Sequence, residues 1–354
     1  MSIWSSHIEL LVEMLSIPAL SREEQARADF LENRLQSMDF KPARFHNNLL
    51  LGDPQAKGPK ILLNSHLDTV PPVEGWETDP FRPVLVGDKI TALGSNDAGA
   101  SVLTMLAVYE KMKELLKGKM NLLMLISAEE EVSGEHGISS VLPQLGKLEG
   151  VIVGEPTGMR PAVAERGLMV LDAEAPGKAG HAARNEGVNA IYQAMEDVEA
   201  IRNMVFHRES AWLPQAGAQI TMINAGSRHN VVPDICRYVV DVRSNDCYGN
   251  EEILEMIRSV CKAKLNPRST RLHPSGLDSG HFLMEAVQAC KLEPFGSSTL
   301  SDMALIPFPS LKMGPGESAR SHTAGEYILI SEMEEAFNNY CEFLEKLNPI
   351  RIET

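Results

Sequence analysis

Three short apolar runs, Lys60-Ile-Leu-Leu-Asn64, Asn121-Leu-Leu-Met-Leu-Ile126 and Val151-Ile-Val153, constrain this chain more than any other feature. They are continuous rather than alternating, which is how strands covered on both faces read. Between the first two, Val102, Leu103, Leu106, Met112, Leu115 and Leu116 recur near helical spacing within Ala98 to Lys117, and Gly118 ends the pattern. A strand, helix, strand unit follows, and with it an α/β layer whose sheet is buried between helices.

Around these runs the chain changes texture twice. The first 45 residues read as a surface helix pair, interrupted from Pro18 to Arg22, with Ser21 as N-cap and Glu23 and Glu24 in the first turn of the second helix. From about residue 164 the pattern becomes α+β. Strands are expected at Leu168–Glu174, Gln219–Asn224 and Ile235–Val242, and helices at Gly187–Met204 and Glu251–Ala263. Asn266 to Gly280, rich in Pro, Ser and Gly, reads as a linker. Beyond it come a helix over Phe282–Cys290, a short strand at Leu311–Met313 and a final helix over Ser331–Leu347. With 354 residues the chain exceeds the roughly 100–200 of one typical domain, so one domain split by another fits: residues 1–163 and 273–354 around an insertion at 164–272.

In open α/β sheets ligands bind beyond the carboxyl ends of the strands, so the residues after each run are the ones to inspect. The first run leads into Ser65-His66-Leu67-Asp68, the second into Ala128-Glu129-Glu130-Glu131, the third into Gly154-Glu155-Pro156. Three core strands deliver histidine and carboxylates to one sheet edge, a costly concentration of charge unless a cation neutralises it. His66 and Asp68 stand on one side of an extended segment, where Asp68 can accept the second ring N–H and aim the imidazole at a metal. Asp97, between Gly94 and Gly99, reads either as the N-cap of the following helix or as a ligand. Adjacent glutamates after a buried strand suit a divalent cation with a general base beside it.

Composition narrows the partners. Against 33 Lys+Arg stand 48 Asp+Glu, a formal charge of −15 that repels a phosphate backbone and argues against nucleic-acid or anionic-membrane binding. Five cysteines (Cys236, Cys247, Cys261, Cys290, Cys341), with no C-x-x-C pair, encode neither a disulfide framework nor a zinc knuckle and suit a reducing cytoplasm. The first residues lack the pattern of a signal peptide and no run of 18 apolar residues occurs, so no membrane span is expected. Gly314, Gly316 and Ala319 match G-x-G-x-x-A, but no βαβ unit with a ribose-binding acid follows, which discards a dinucleotide site. P-loop, G-x-S-x-G and H-E-x-x-H motifs do not occur.

Taken in order, His66-Leu-Asp68, Asp97, Glu130-Glu131, Glu155 and His322 resemble the ligand sequence of the two-zinc amidohydrolase and exopeptidase family that includes acetylornithine deacetylase, succinyl-diaminopimelate desuccinylase, aminoacylase and glutamate carboxypeptidase. The resemblance runs from Ser65 to Ile328. It implies a zinc-exopeptidase-like mixed sheet flanked by helices, with an inserted ferredoxin-like α+β domain that acts as lid and dimerises. It further implies that Asp97 bridges two Zn2+ ions (Co2+ being an alternative), with His66 and Glu155 on one and Glu131 and His322 on the other. Glu130 is then the general base and Asp68 the orienting partner of His66. His181, in Gly177-Lys-Ala-Gly-His181, occupies the place of a histidine that binds the oxyanion across a dimer, although a lone histidine before a helix is also an ordinary cap or surface residue. Asn230 and Arg243 match positions that hold the substrate carboxylate, a task for which the planar guanidinium is suited.

Two departures bear on substrate identity. Ala98-Gly99 stands where the family usually has lysine-glycine, and Val132-Ser133-Gly134 where Val-Gly is commoner. The expected activity is hydrolysis of an N-acyl amino acid by a cytoplasmic homodimer. N-acetylornithine deacetylation in arginine biosynthesis is the first expectation. Desuccinylation of succinyl-ornithine, succinyl-citrulline or succinyl-diaminopimelate, or the action of a dipeptidase or carboxypeptidase of the same family, is the alternative. A non-catalytic metal-binding protein on the same scaffold would lack the base, and Glu130 is present.

Overall fold

The structure is a computed structural model and describes residues 3–348. The chain clusters into two compact units. The first comprises the residues up to Val163, Leu277–Phe295 and those from Ser301 onward; the second comprises Ala164–Gly276 and Gly296–Leu300. The return to the first unit thus comes at Leu277, and residues 296–300 cluster with the second.

The first unit begins with helices α1 (Ile3–Leu15) and α2 (Gln25–Ser37), followed by strands β1 (Ala43–Phe45), β2 (Asn48–Leu51), β3 (Lys60–His66), β4 (Val84–Val86) and β5 (Lys89–Thr91). Helix α3 (Ala100–Leu115), strand β6 (Asn121–Ser127), helix α4 (Ile138–Leu145) and strand β7 (Gly150–Val153) complete its first half, and β8 (Ala162–Glu165) begins in it and runs on into the second unit. The three apolar runs become β3, β6 and β7, buried along nearly their whole lengths. The opening helices lie on the surface with one face covered, Ser5, Ser6, Glu9 and Glu13 of α1 and Gln25, Asn33 and Gln36 of α2 remaining exposed. Leu10, Leu11, Met14 and Leu15 of α1 are fully covered, and the chain turns to strand at Ala43. Ser21 does not cap α2, whose N-cap position is Glu24 and carries no side-chain cap bond; its hydroxyl is spent elsewhere, as shown below.

The second unit runs β9 (Leu168–Pro176), β10 (Gly180–His181), α5 (Ala190–Arg202), β11 (Gly217–Ala225), β12 (Val231–Val232), β13 (Ile235–Arg243), α6 (Asn250–Val260), β14 (Lys264–Leu272) and β15 (Ser275–Gly276). Its main sheet has the order β11-β13-β9-β14, all antiparallel, so the βαββαβ succession is ferredoxin-like. β9 and β13 alternate buried residues with half-buried or exposed ones, and the inward set (Met169, Leu171, Ala173, Tyr238, Val240, Val242) meets α5 and α6 through Ala194, Ile201, Ile253 and Ile257. The first half of the stretch expected as a linker, Asn266 to Leu272, lies in strand β14. Pro267 is tolerated because β14 lies at the sheet edge, and the register shifts beside it.

The chain closes with α7 (Phe282–Ala289), β16 (Phe295–Ser297), β17 (Ser310–Lys312), β18 (Tyr327–Leu329) and α8 (Ile330–Lys346). In the first unit the sheet order is β1-β2-β6-β3-β7-β17-β8, with β6, β3, β7 and β17 mutually parallel and the flanking strands antiparallel. Leu62, Leu123, Leu125, Val151 and Val153 pack on one face against Ile138, Val141 and Leu145 of α4. α3, buried from Ala100 to Tyr109, contacts β3, β6, α1 and α8. That parallel register brings the carboxyl ends of four strands to one edge. Among the described residues no helix is long and apolar enough to cross a membrane.

Candidate metal centre

His66 is the last residue of β3 and pairs in register with Ser127, the last of β6; Glu130 and Glu131 follow in the next turn, and Glu155 lies two residues beyond β7. Asp97 sits in the turn before α3. Its carboxylate caps nothing, since neither this turn nor α3 has a side-chain cap bond. Its Oδ1 lies 3.1 Å from His66 Nε2 and its Oδ2 3.7 Å from His322 Nε2, so one carboxylate offers an oxygen to each histidine. Glu155 Oε1 is 3.8 Å and Glu130 Oε2 3.9 Å from His66 Nε2, while Glu131 Oε2 is 3.1 Å from His322 Nε2. All seven first-unit residues singled out in the sequence, Asp68 included, come together.

These residues fit a pair of divalent ions. Ligands about 2.0–2.2 Å from a tetrahedral ion stand roughly 3.3 Å from one another, close to the spacings found. His66, Asp97 and Glu131, and separately His66, Glu130 and Glu155, present ligand atoms within 4.8 Å of one another. Glu155 Oε1 is buried without a hydrogen-bond partner, the mark of an oxygen awaiting a cation. His66 Nδ1 lies 3.0 Å from the Asp68 carbonyl, and a proton shared there leaves the Nε2 lone pair facing Asp97.

Charge tells the same story. Burial, then the neighbouring Glu155, Asp302 and Glu131, push Glu130 well above the usual carboxylate range, with His66 opposing. Burial and Asp97 push Glu155 up to about 8. The hydrogen bond that His322 Nε2 donates to the Glu131 carboxylate raises His322 to about 9, and Asp97 adds to it. Burial works against protonation of His66, but Asp68, Asp97, Glu130 and Glu155 outweigh it and raise that group well above its ordinary value. Without a cation, such a cluster can exist only by holding protons.

The support around the ligands was not visible in the sequence. The Asp68 carboxylate does not reach the His66 ring within hydrogen-bond distance, standing 3.6 Å from Nδ1. It instead accepts the amides of Glu130 (3.1 Å) and Glu131 (3.3 Å) and the Ser21 hydroxyl (2.7 Å), tying the β3 end to the glutamate turn. Buried Glu24 accepts the amide of Glu129. Asp302 takes hydrogen bonds of 2.8 Å from Asn64 and Ser127, one on each of the adjacent strands β3 and β6. Asn96 laces the Asp97 turn to the loop carrying His322 through the backbone of Glu317 and the Ser321 hydroxyl. The glycines of the discarded G-x-G-x-x-A match serve close approach: a Cβ on Gly314 would stand 2.6 Å from the Glu155 carbonyl oxygen, and one on Gly316 (φ +84°) 2.2 Å from Asn96 Oδ1.

His181, Asn230 and Arg243 belong to the second unit. His181 pairs with Val231, and the Ala182 amide donates to the Asn230 carbonyl, so two of the three are neighbours. The His181 ring also caps the following turn by accepting the Ala183 amide at Nδ1. Arg243 grips Asp241 through both Nε and Nη2.

Comparison with known proteins adds sequence to this geometry. The model of peptidase family M20/M25/M40 matches residues 62–346. A succinyl-diaminopimelate desuccinylase of Buchnera aphidicola subsp. Cinara cedri is 24% identical over 381 residues, covering 96% of this chain and 98% of the relative. An acetylornithine deacetylase of Myxococcus xanthus is 24% identical over 294 residues, covering 77% and 76%. In structure, the chain is similar to the Bacillus subtilis YXEP protein, described as a dinuclear metal-binding M20 peptidase, with a TM-score of 0.73 at 17% identity over 98% and 99% of the two chains.

Proposed function

The chain belongs to peptidase family M20/M25/M40, a family of metal-dependent hydrolases, and from that premise we propose that it hydrolyses the amide bond of an N-acyl amino acid at a pair of Zn2+ ions. The observation that carries the reading is the Asp97 carboxylate with one oxygen toward His66 and the other toward His322. His66 and Glu155 would hold one ion and Glu131 and His322 the other, Asp97 being shared. Such ions lower the pKa of a coordinated water and polarise the scissile carbonyl.

Glu130 does the proton work. Its carboxylate, raised by burial and by its acidic neighbours, takes the proton of the attacking water and returns it to the leaving amine. Asp68 holds the amides of Glu130 and Glu131 and thereby the angle of both side chains. His181, with its Nδ1 occupied by the Ala183 amide, keeps its proton on Nε2 and can donate to the developing oxyanion. Asn230 and Arg243 are assigned to the substrate carboxylate, Arg243 exchanging Asp241 for it.

For the acyl group, succinyl takes precedence over acetyl. At equal identity the desuccinylase relative spans nearly the whole chain, the deacetylase about three quarters. Acetylornithine is retained as the second reading on the strength of that relative. We also assign the second unit a lid and dimerisation role. β11 is a nine-residue edge strand with Met222 and Ile223 more than half exposed, the kind of edge that pairs with its own copy.

The test is a comparison of kcat/KM for N-succinyl-diaminopimelate, N-succinyl-ornithine, N-acetylornithine, N-acetylcitrulline and several dipeptides, with zinc content measured on the same sample. A succinyl substrate turned over best supports the proposal, and acetylornithine turned over best returns the deacetylase. Turnover that survives complete removal of metal would refute the mechanism.

A further inference from the structure

Glu326, four residues beyond His322, is 1% exposed. Its carboxylate is spent on backbone. Oε1 accepts the amides of Asn96 (2.8 Å) and Asp97 (2.9 Å), and Oε2 accepts the amide of Gly94 (3.1 Å). Its own carbonyl accepts the Ala92 amide at 3.1 Å, so the segment from Ala92 to Asp97 is pinned at four points by one residue. That segment ends in the carboxylate facing both histidines. Burying a carboxylate to hold three amides of a turn is costly unless the placement of that turn matters.

We propose that Glu326 is the positioning residue of the metal centre: by gathering the amides of Gly94, Asn96 and Asp97 it sets the Asp97 carboxylate with one oxygen toward His66 and the other toward His322, where it would be shared by two ions. The inference rests on the reading of Asp97 as the shared ligand. Asn96 supplies the matching contact on the other side, through Glu317 and Ser321, so the Asp97 turn and the His322 loop hold each other in register. Since one carboxylate serves both ions, displacing it weakens both at once, which no single-ion ligand would do.

The experiment compares wild type, Glu326→Gln and Asp197→Asn. Asp197 is a buried carboxylate of the second unit that accepts the amides of Lys262 and Ala263 and the Tyr238 hydroxyl, so its variant controls for lost stability alone. Zinc affinity and stoichiometry are read by chelator competition well below the unfolding temperature of every variant, together with kcat and KM. Glu326→Gln is expected to weaken both zinc sites by about 10–100-fold and to lower kcat with KM little changed. Asp197→Asn is expected to unfold at lower temperature with wild-type zinc affinity. Wild-type affinity at both sites in Glu326→Gln, with lowered stability, overturns the proposal and leaves Glu326 merely structural. Should Glu326→Gln not fold, Glu326→Asp, which keeps the charge but draws it back from the amides, is measured with the same expectation. A wild-type protein that binds fewer than two ions fails at the earlier step, the shared-ligand reading, and is distinguished by stoichiometry.

Discussion

Ser21 offers the sharpest separation between a local and a tertiary account. Read locally it is an N-cap, and caps accept Asp in place of Ser with little change. In the structure its hydroxyl donates to Asp68 Oδ2 at 2.7 Å, across 47 residues of chain, and Asp68 is fully buried. Ser21→Ala removes a hydrogen bond to a charged group, worth about 1.5–3 kcal/mol, and leaves Asp68 its two amide donors. Ser21→Asp places a second carboxylate about 4 Å from the first. At an effective dielectric constant near 20 their repulsion reaches about 4 kcal/mol, an upper bound given that residue 21 is partly exposed. The order of stability is therefore wild type, then Ser21→Ala, then Ser21→Asp, followed by scanning calorimetry and chemical denaturation of the zinc-loaded protein. kcat/KM should fall about tenfold or less in Ser21→Ala, because the amides of Glu130 and Glu131 keep their acceptor. A Ser21→Asp protein as stable as wild type would refute the Asp68 contact and restore the cap.

Three further outcomes are expected. Glu130→Gln should keep two zinc ions per chain while turnover drops about 10²–10⁴-fold; unchanged turnover would remove Glu130 from the reaction. The metal-free protein should lose stability as pH rises from about 6.5 to about 9. His322, held up to about 9, and Glu155, held up to about 8, keep protons in the folded state that the unfolded chain has already released. A flat or rising unfolding temperature over that window, measured after chelation, contradicts the sign. Mixing inactive Glu130→Gln and His181→Ala proteins under subunit-exchange conditions should restore partial activity if His181 works across a dimer, and the absence of rescue argues that it does not.

Four of the candidate ligands were legible because they lie at strand ends, whereas Asp97 and His322 were assigned only through the family resemblance. Continuous apolar runs announce buried parallel strands, and whatever follows them lies at one edge, so His66, Glu130, Glu131 and Glu155 could be gathered from one dimension. The ferredoxin-like unit was legible for a related reason, since β9 and β13 alternate with a period of two. β14 was not, because Asn266, Pro267 and Ser269 carry a linker's composition and only pairing with β9 makes them an edge strand. By its own sequence context Asp97 stayed divided between cap and ligand, for both uses call on the same oxygens; in the structure it makes no side-chain cap bond and faces His66 and His322.

What the sequence determined by itself was therefore the donor chemistry and the scaffold that presents it, both consequences of residue type and short-range periodicity. The tertiary structure alone decided how those donors are held. Ser21 reaches Asp68 over 47 residues, Glu24 reaches the Glu129 amide over 105, and Glu326 reaches the Asp97 amide over 229. Contacts that distant leave no periodic trace in the chain, because their partners are chosen by the packing of whole helices and strands rather than by the dihedral preferences of neighbouring residues.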